Sequence, residues 1–405
     1  MFQFSVPYPS TRSANFISLF PATDNASLYT NPINPRSVDR QRELMYSCIH
    51  ALKKKTSAED ISLMDNTRLI CETYIGYVDS FSNILRKTET RITIEESALE
   101  KNPKNGICKW TGSSSLQANQ NTEIITESPF FCLAFEKVMA CSVCIITAIN
   151  IGEIYMKMGD YEKSSMYFAT VLVYVAWAKA FIEKCTFVSK MPEMDVSVQN
   201  GLSYYASARG MYATYRHENA TKQKTAYDLV AYYAFLCNMC TCAYEQINIS
   251  GAITSVRGIA LVAQFLRMEY LSRCHQYLSM HYMTYENVRD FLGKVDRDKI
   301  DYQRCYNLTI AAIFFAKKAE MIAENKNITS VKSFCKERIS TMTTQLNTIE
   351  LTIKHMHKSA NLITEEIFQH NPFMYVNLIK AKNDSSLFES YVETTKHHII
   401  HAYNK

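Results

Sequence analysis

Glycine and proline are scarce, with 10 and 9 residues in a chain of 405, where average usage would put about 12% of the length into the two together. A β-sandwich or barrel needs a turn every 8–12 residues or so, and this chain lacks the residues to build them. Long helices with short connections are what remain. Charge of one sign is missing as well. The net charge is +5 with a pI near 8.4, and a nucleic-acid-binding chain would carry a stronger bias gathered into patches. Lys53-Lys54-Lys55 is the one tight basic run, and it reads as a solvated helix end. The weak positive bias is compatible with peripheral contact to an acidic membrane by diffuse attraction. No stretch of about 20 apolar residues runs free of charge, so no membrane-spanning helix is expected. The opening residues, MFQFSVPYPSTRSANF, lack a basic segment followed by an apolar one, so no secretory signal is expected and a cytoplasmic chain is. Catalytic signatures are absent too. No GxSxG, P-loop, HExxH or dinucleotide fingerprint occurs, which leaves no reason to expect an enzyme or a cofactor.

What the chain does have is apolar material: 47% hydrophobic residues against 20% charged. Its 13 cysteines fall largely inside apolar helical runs, as at Cys141, Cys144, Cys237, Cys240 and Cys242. Cysteines three apart on a helix share one face and pack as small hydrophobes, so these read as core and not as zinc ligands, which come as pairs with turns between them. His397, His398 and His401 read as an exposed helical tail, not as a metal site.

Residues 1–35 form a Pro- and Ser-rich extended leader, residues 36–380 one helical domain, and residues 381–405 a short C-terminal helix or tail. Within the domain, helical periodicity predicts elements over residues 37–55, 58–87, 195–218, 221–247, 255–283, 286–294, 298–324 and 330–370. The most apolar stretch is Ser128–Cys185. It predicts a helix opened by Ser128 and Pro129, a turn at Met158-Gly159-Asp160, and a returning helix in a tetratricopeptide-like hairpin. Gly152 would let the two helices approach, with Ile151 and Tyr155 in the seam and Phe168 and Val171 facing them. The hairpin reads as a buried spine. In the polar connection before it, Trp110 is the one bulky anchor and would pin the segment to the core. The resulting class is all-α, an elongated, curved array with tetratricopeptide-like hairpins at its centre.

Five segments carry a family resemblance in order. They are Lys109-Trp110-Thr111, Leu133-Ala134-Phe135-Glu136-Lys137, Ser165-Met166-Tyr167-Phe168 with Val171, Ala206-Ser207-Ala208-Arg209, and Ile367 through Asn371-Pro372 to Tyr375. Together they resemble the Bro domain, the helical module of Alix, Brox and related ESCRT-associated proteins. Val143 and Arg209-Gly210 depart from the family pattern. The resemblance implies binding of the C-terminal amphipathic helix of an ESCRT-III-type (charged multivesicular body protein) subunit, in endosomal sorting or membrane remodelling, with possible endosome association. It puts partner anchors at Tyr212, Thr225 and Leu229. Thr225 stands where members carry a large apolar side chain, and the lost area is worth ~1–2 kcal/mol. Tyrosines crowd the same two helices, and Tyr205 and Tyr233 join the expected anchor set. The competing expectation is a tetratricopeptide-like interaction module with an unrelated peptide partner.

Overall fold

The structure is a computed structural model, and it describes residues 10–11, 26–54, 60–87, 109–111, 122–123, 129–183, 192–218, 225–249, 257–284, 300–324 and 329–355. Ten α-helices occur among the described residues, with one 3-10 turn at Pro192–Met194: α1 (Ala26–Tyr29), α2 (Pro35–Lys54), α3 (Ile61–Lys87), α4 (Pro129–Met158), α5 (Tyr161–Glu183), α6 (Val196–Glu218), α7 (Ala226–Ile249), α8 (Arg257–Thr284), α9 (Tyr302–Glu324) and α10 (Thr329–His355). Three strands of two or three residues, β1 (Ser10–Thr11), β2 (Lys109–Thr111) and β3 (Thr122–Glu123), form one antiparallel sheet in the order β1-β2-β3. Pairings so short leave no alternating pattern to read, and the expected helical class did not include them. The expected helix at 286–294, the C-terminal helix, the Asn371–Tyr375 segment and the three tail histidines lie outside the described residues.

Helix ends fall where side chains can satisfy the open backbone groups. Asn34 caps α2, its Oδ1 accepting from the Arg36 and Ser37 amides at 3.0 and 3.1 Å, with Pro35 at the first helical position. Asp60 caps α3 through the Leu63 amide at 2.9 Å, and Asp195 caps α6 through the Ser197 amide at 2.8 Å. The turn at Met158-Gly159-Asp160 closes α4 with a Schellman pair. The Gly159 amide donates to Met156 O at 3.3 Å and the Asp160 amide to Tyr155 O at 3.0 Å, while Gly159 takes φ +82°. Asp160 then caps α5 through the Lys163 amide at 3.1 Å.

The chain divides into two compact units. Residues 4–210 with 245–260 form one, and residues 1–3, 211–244 and 261–405 the other. In the first unit α4 is the central helix. Its residues from Leu133 to Gly152 are buried without a break, and α3 and α5 pack along it. Gly152 lets α5 come close: a Cβ there would stand 3.0 Å from Phe168 Cε2, and Ser164 Oγ donates to Gly152 O at 2.8 Å.

One charge lies at the centre of this packing. Glu136, fully buried on α4, accepts two donors on each oxygen. Oε1 takes Arg42 Nη2 at 3.0 Å and Trp110 Nε1 at 2.8 Å, and Oε2 takes Arg42 Nε at 3.1 Å and the Tyr74 hydroxyl at 2.8 Å. A buried carboxylate is tolerable only when it is paired and its lone pairs are filled, and here both conditions hold. The carboxylate ties α2, α3 and β2 to α4. Trp110, only 1% exposed, is the pin expected of it. A second buried pair fastens α6: Arg209 Nε and Nη2 reach the two oxygens of Glu153 at 2.6 and 2.5 Å, and the Tyr205 hydroxyl donates to Oε1 at 2.8 Å.

In the second unit α9 is buried along most of its length and α10 packs against it through Met342, Ile349 and Ile353. α8 joins α9 by hydroxyls. Ser272 Oγ donates to Ala312 O at 2.8 Å and Ser279 Oγ to Cys305 O at 3.1 Å. Between these serines His275 is fully buried, stacked on Phe315 at 5.3 Å, with Nδ1 2.8 Å from Leu271 O. Burial lowers its pKa from 6.5 to about 4, the hydrogen bond to Leu271 opposing only in part. Cys141, Cys144, Cys237 and Cys240 are all buried and packed among the helices, as expected of core cysteines.

Two predictions follow from these buried groups. Glu136→Gln removes the charge that neutralises Arg42 and turns a donor toward the ring of donors. It should cost about 3–5 kcal/mol of unfolding free energy in a urea titration, whereas replacing Arg42 and Glu136 together by apolar residues should cost less than the two single changes summed. His275 is neutral when folded and titrates near 6.5 when unfolded, so the unfolded chain takes up the extra proton. Stability present above pH 6.5 should be lost as pH falls toward 4, by up to about 3 kcal/mol. His275→Gln should show a flatter dependence over that window in chemical denaturation at stepped pH.

Candidate functional site

Two surfaces stand out, one in each unit. In the first, α5 is an apolar helix that the fold covers on one side. Its most apolar stretch is 39% buried, against 89% for that of α4, although both helices are long and apolar enough to cross a membrane by length and composition. One side of α5 packs inward through Phe168, Val171, Tyr174, Val175, Ala178 and Ile182. The opposite side presents Met166 at 46% exposure, half-buried Val173 and Trp177, and exposed Ala176 and Ala180. These positions fall on one face of the helix together with half-buried Thr170, and the 14 steps of about 1.5 Å from Met166 to Ala180 give a stripe of about 20 Å. Trp177 is held edge-on to Tyr174 at 5.6 Å. Tyr174 is fixed in turn by Arg68, whose Nη1 donates to its hydroxyl at 2.7 Å, and by Glu72, which accepts from it at 2.9 Å. On the other flank Lys179 Nζ donates to Asn200 Oδ1 on α6 at 2.9 Å. An exposed apolar stripe with polar flanks is the form of an interaction site. The spine reading of the hairpin therefore holds for α4 and needs correction for α5, half of which faces outward.

The second unit gathers tyrosines from the end of α6, α7 and α8. Tyr215 stacks on Tyr232 at 4.1 Å, Tyr233 stacks on Tyr277 at 5.6 Å, and Tyr270 lies 6.2 Å from Tyr212 and 5.9 Å from Tyr233. Tyr232 anchors the group by donating to Met211 O at 3.2 Å. Burial raises the phenol pKa of both Tyr232 and Tyr233, for Tyr233 against the lowering effect of Arg273, so both stay neutral at physiological pH. Arg273 lies over the Tyr233 ring at 5.4 Å, and its Nε donates to Glu269 Oε1 at 2.8 Å.

The five expected anchors separate on this map. Tyr212 and Leu229 are half-buried in the second unit, each with surface to offer. Tyr233 is in the same cluster but only 3% exposed. Tyr205 belongs to the first unit, is fully buried and spends its hydroxyl on Glu153. Thr225 is exposed and has a different task. It caps α7 in a reciprocal box with Asp228, which accepts from the Thr225 amide and hydroxyl at 3.1 and 2.7 Å while the Asp228 amide donates to Thr225 Oγ1 at 3.2 Å. A helix start five residues later than the periodicity suggests explains the polar residue there. Sequence reasoning missed the α5 stripe, because a helix apolar all round reads as buried. It also missed Arg273 and Glu269, which no motif marks. The Thr225-x-x-Asp228 spacing is the sequence mark of this cap.

No protein-family model matches the sequence, and no curated protein matches it. Solved structures do. The chain superposes on a structure described as "ALIX BRO1 CHMP4C complex" with a TM-score of 0.57 at 9% identity, covering 89% of this chain and 91% of that one. It superposes on "Structure basis for endosomal targeting by the Bro1 domain" with a TM-score of 0.50 at 10% identity, covering 98% and 97%. The likeness runs through the ordered helices and not through sequence, and on that basis the chain has the fold of a Bro1 domain.

Proposed function

We propose that this chain is a binding scaffold that holds an apolar face of an ESCRT-III-type C-terminal helix, and that it serves endosomal sorting or membrane remodelling from the cytosolic side. The observation that carries the reading is the match of nine-tenths of the chain to ALIX BRO1 in its complex with CHMP4C. The outward stripe of α5 and the half-buried Tyr212 and Leu229 support it, because they are the kind of apolar surface that an amphipathic helix fills by its i, i+3, i+4 and i+7 side chains. The chemistry is recognition and not turnover. The groups that face these surfaces are mostly aliphatic and aromatic.

A calorimetric titration with the CHMP4C C-terminal peptide tests it. Binding tighter than about 100 µM, or roughly −5.5 kcal/mol, is expected. Leu229→Asp and Val173→Asp should each be examined by circular dichroism beside the titration. Weakening of at least about tenfold with unchanged helicity is the expected result for at least one of them, since a charge forced against an apolar ligand face goes unpaired. Absence of binding by the unsubstituted chain would reject the function while leaving the fold as described. Loss of helicity in Leu229→Asp would assign Leu229 to the core.

A further inference from the structure

Beside the tyrosine cluster of the second unit lies an unbalanced charge. Glu269 on α8, 5% exposed, is the carboxylate for two guanidinium groups. Arg273 reaches its Oε1 from one turn along the same helix, and Arg338 on α10 reaches its Oε2. Arg338 is otherwise satisfied, donating through Nη2 to Gln276 Oε1 at 3.0 Å and to Ser272 Oγ at 3.3 Å. Arg273 is not. Its Nε is on Glu269, and its Nη1 makes one long bond to the Tyr233 hydroxyl at 3.4 Å. Among the described residues Nη2 has no acceptor. The guanidinium carbon lies 5.4 Å from the ring centre of Tyr233 and 6.0 Å from that of Phe334, and the side chain is 19% exposed.

Two cations on one carboxylate leave one positive charge uncompensated in a mostly dehydrated place, with an unused N–H edge. Such an edge binds carboxylate oxygens strongly, because the donors are preorganised and little solvent competes. Tyr212, a half-buried anchor of the proposed docking surface, lies near enough for its phenol to act electrostatically on Arg273. We propose that Arg273 is a cationic anchor that takes an acidic side chain of the docked helix, and so selects ligands carrying an Asp or Glu beside their apolar face. The inference rests on the reading of this surface as a helix-docking site, and it adds a charge requirement which that reading does not contain.

The test is a cycle between chain and peptide. Each Asp and Glu of the CHMP4C C-terminal peptide is replaced in turn by Asn or Gln, and binding is measured to the unsubstituted chain, to Arg273→Gln and to Arg273→Lys. One acidic replacement should weaken binding about tenfold with the unsubstituted chain, should have little effect with Arg273→Gln, and should keep part of its effect with Arg273→Lys. Glu269 keeps Arg338 in Arg273→Gln, and circular dichroism checks that the variant folds. If Arg273→Gln fails to fold, the comparison of Arg273→Lys with the unsubstituted chain decides. Binding that persists with no acidic replacement mattering, or with every replacement mattering equally in the variants, would overturn the anchor and leave the docking site standing. Absence of binding by the unsubstituted pair would remove both.

Discussion

A carboxylate with no access to water sets the terms for the first unit. Glu136 sits on the most apolar helix of the chain, where an unpaired charge would cost several kcal/mol, and its cost is offset only if four donors arrive together. They come from three separate places: Arg42 on α2, Tyr74 on α3 and Trp110 on β2. The order of these elements around α4 is therefore specified and not merely permitted. Apolar burial is non-directional, whereas a four-donor carboxylate fixes distances and angles, and the short sheet that carries Trp110 is held in place by the same bonds.

That fixed inner layer makes the outward side of α5 intelligible. α5 shares the apolar composition of α4 but not its burial, and it is kept at the surface by the Gly152–Phe168 contact beneath it and by the Schellman turn before it. A helix with polar residues outward would have been the ordinary solution for a surface position. Keeping Met166, Val173 and Trp177 toward the outside instead leaves apolar surface in contact with water, which fits the helix docking proposed for this face. The tyrosine cluster of the second unit differs in kind. Its rings are mostly packed against each other, and the surface it offers comes from half-buried side chains, Tyr212, Leu229 and Arg273 among them.

Much of the fold was legible in the sequence, and for identifiable reasons. Local chemistry marks helix ends, so Pro129, Gly159, Asp195 and the Asn and Asp caps fix most boundaries to within a few residues. Trp110 stood out because a bulky indole in a polar connection has to go somewhere. The binding surface was less legible. Burial of an apolar helix depends on what the rest of the chain leaves uncovered, and nothing inside α5 states that. The partner of Glu136 is 94 residues away in sequence, and Glu269 meets Arg338 across 69; no local pattern encodes either pair. Thr225 makes the opposite point, since the cap it forms with Asp228 is wholly local and marked by the Thr-x-x-Asp spacing.

The account's central claim is that these particular surfaces receive an amphipathic helix. Photo-crosslinking tests it most directly, using a CHMP4C C-terminal peptide with a photoreactive group on its apolar face and mapping the modified residues by mass spectrometry. The account predicts modification of the α5 stripe at Met166, Val173 or Trp177, or of Tyr212 and Leu229, competed by unlabelled peptide. Modification confined to other helices, or no more than a scrambled peptide gives, would contradict it.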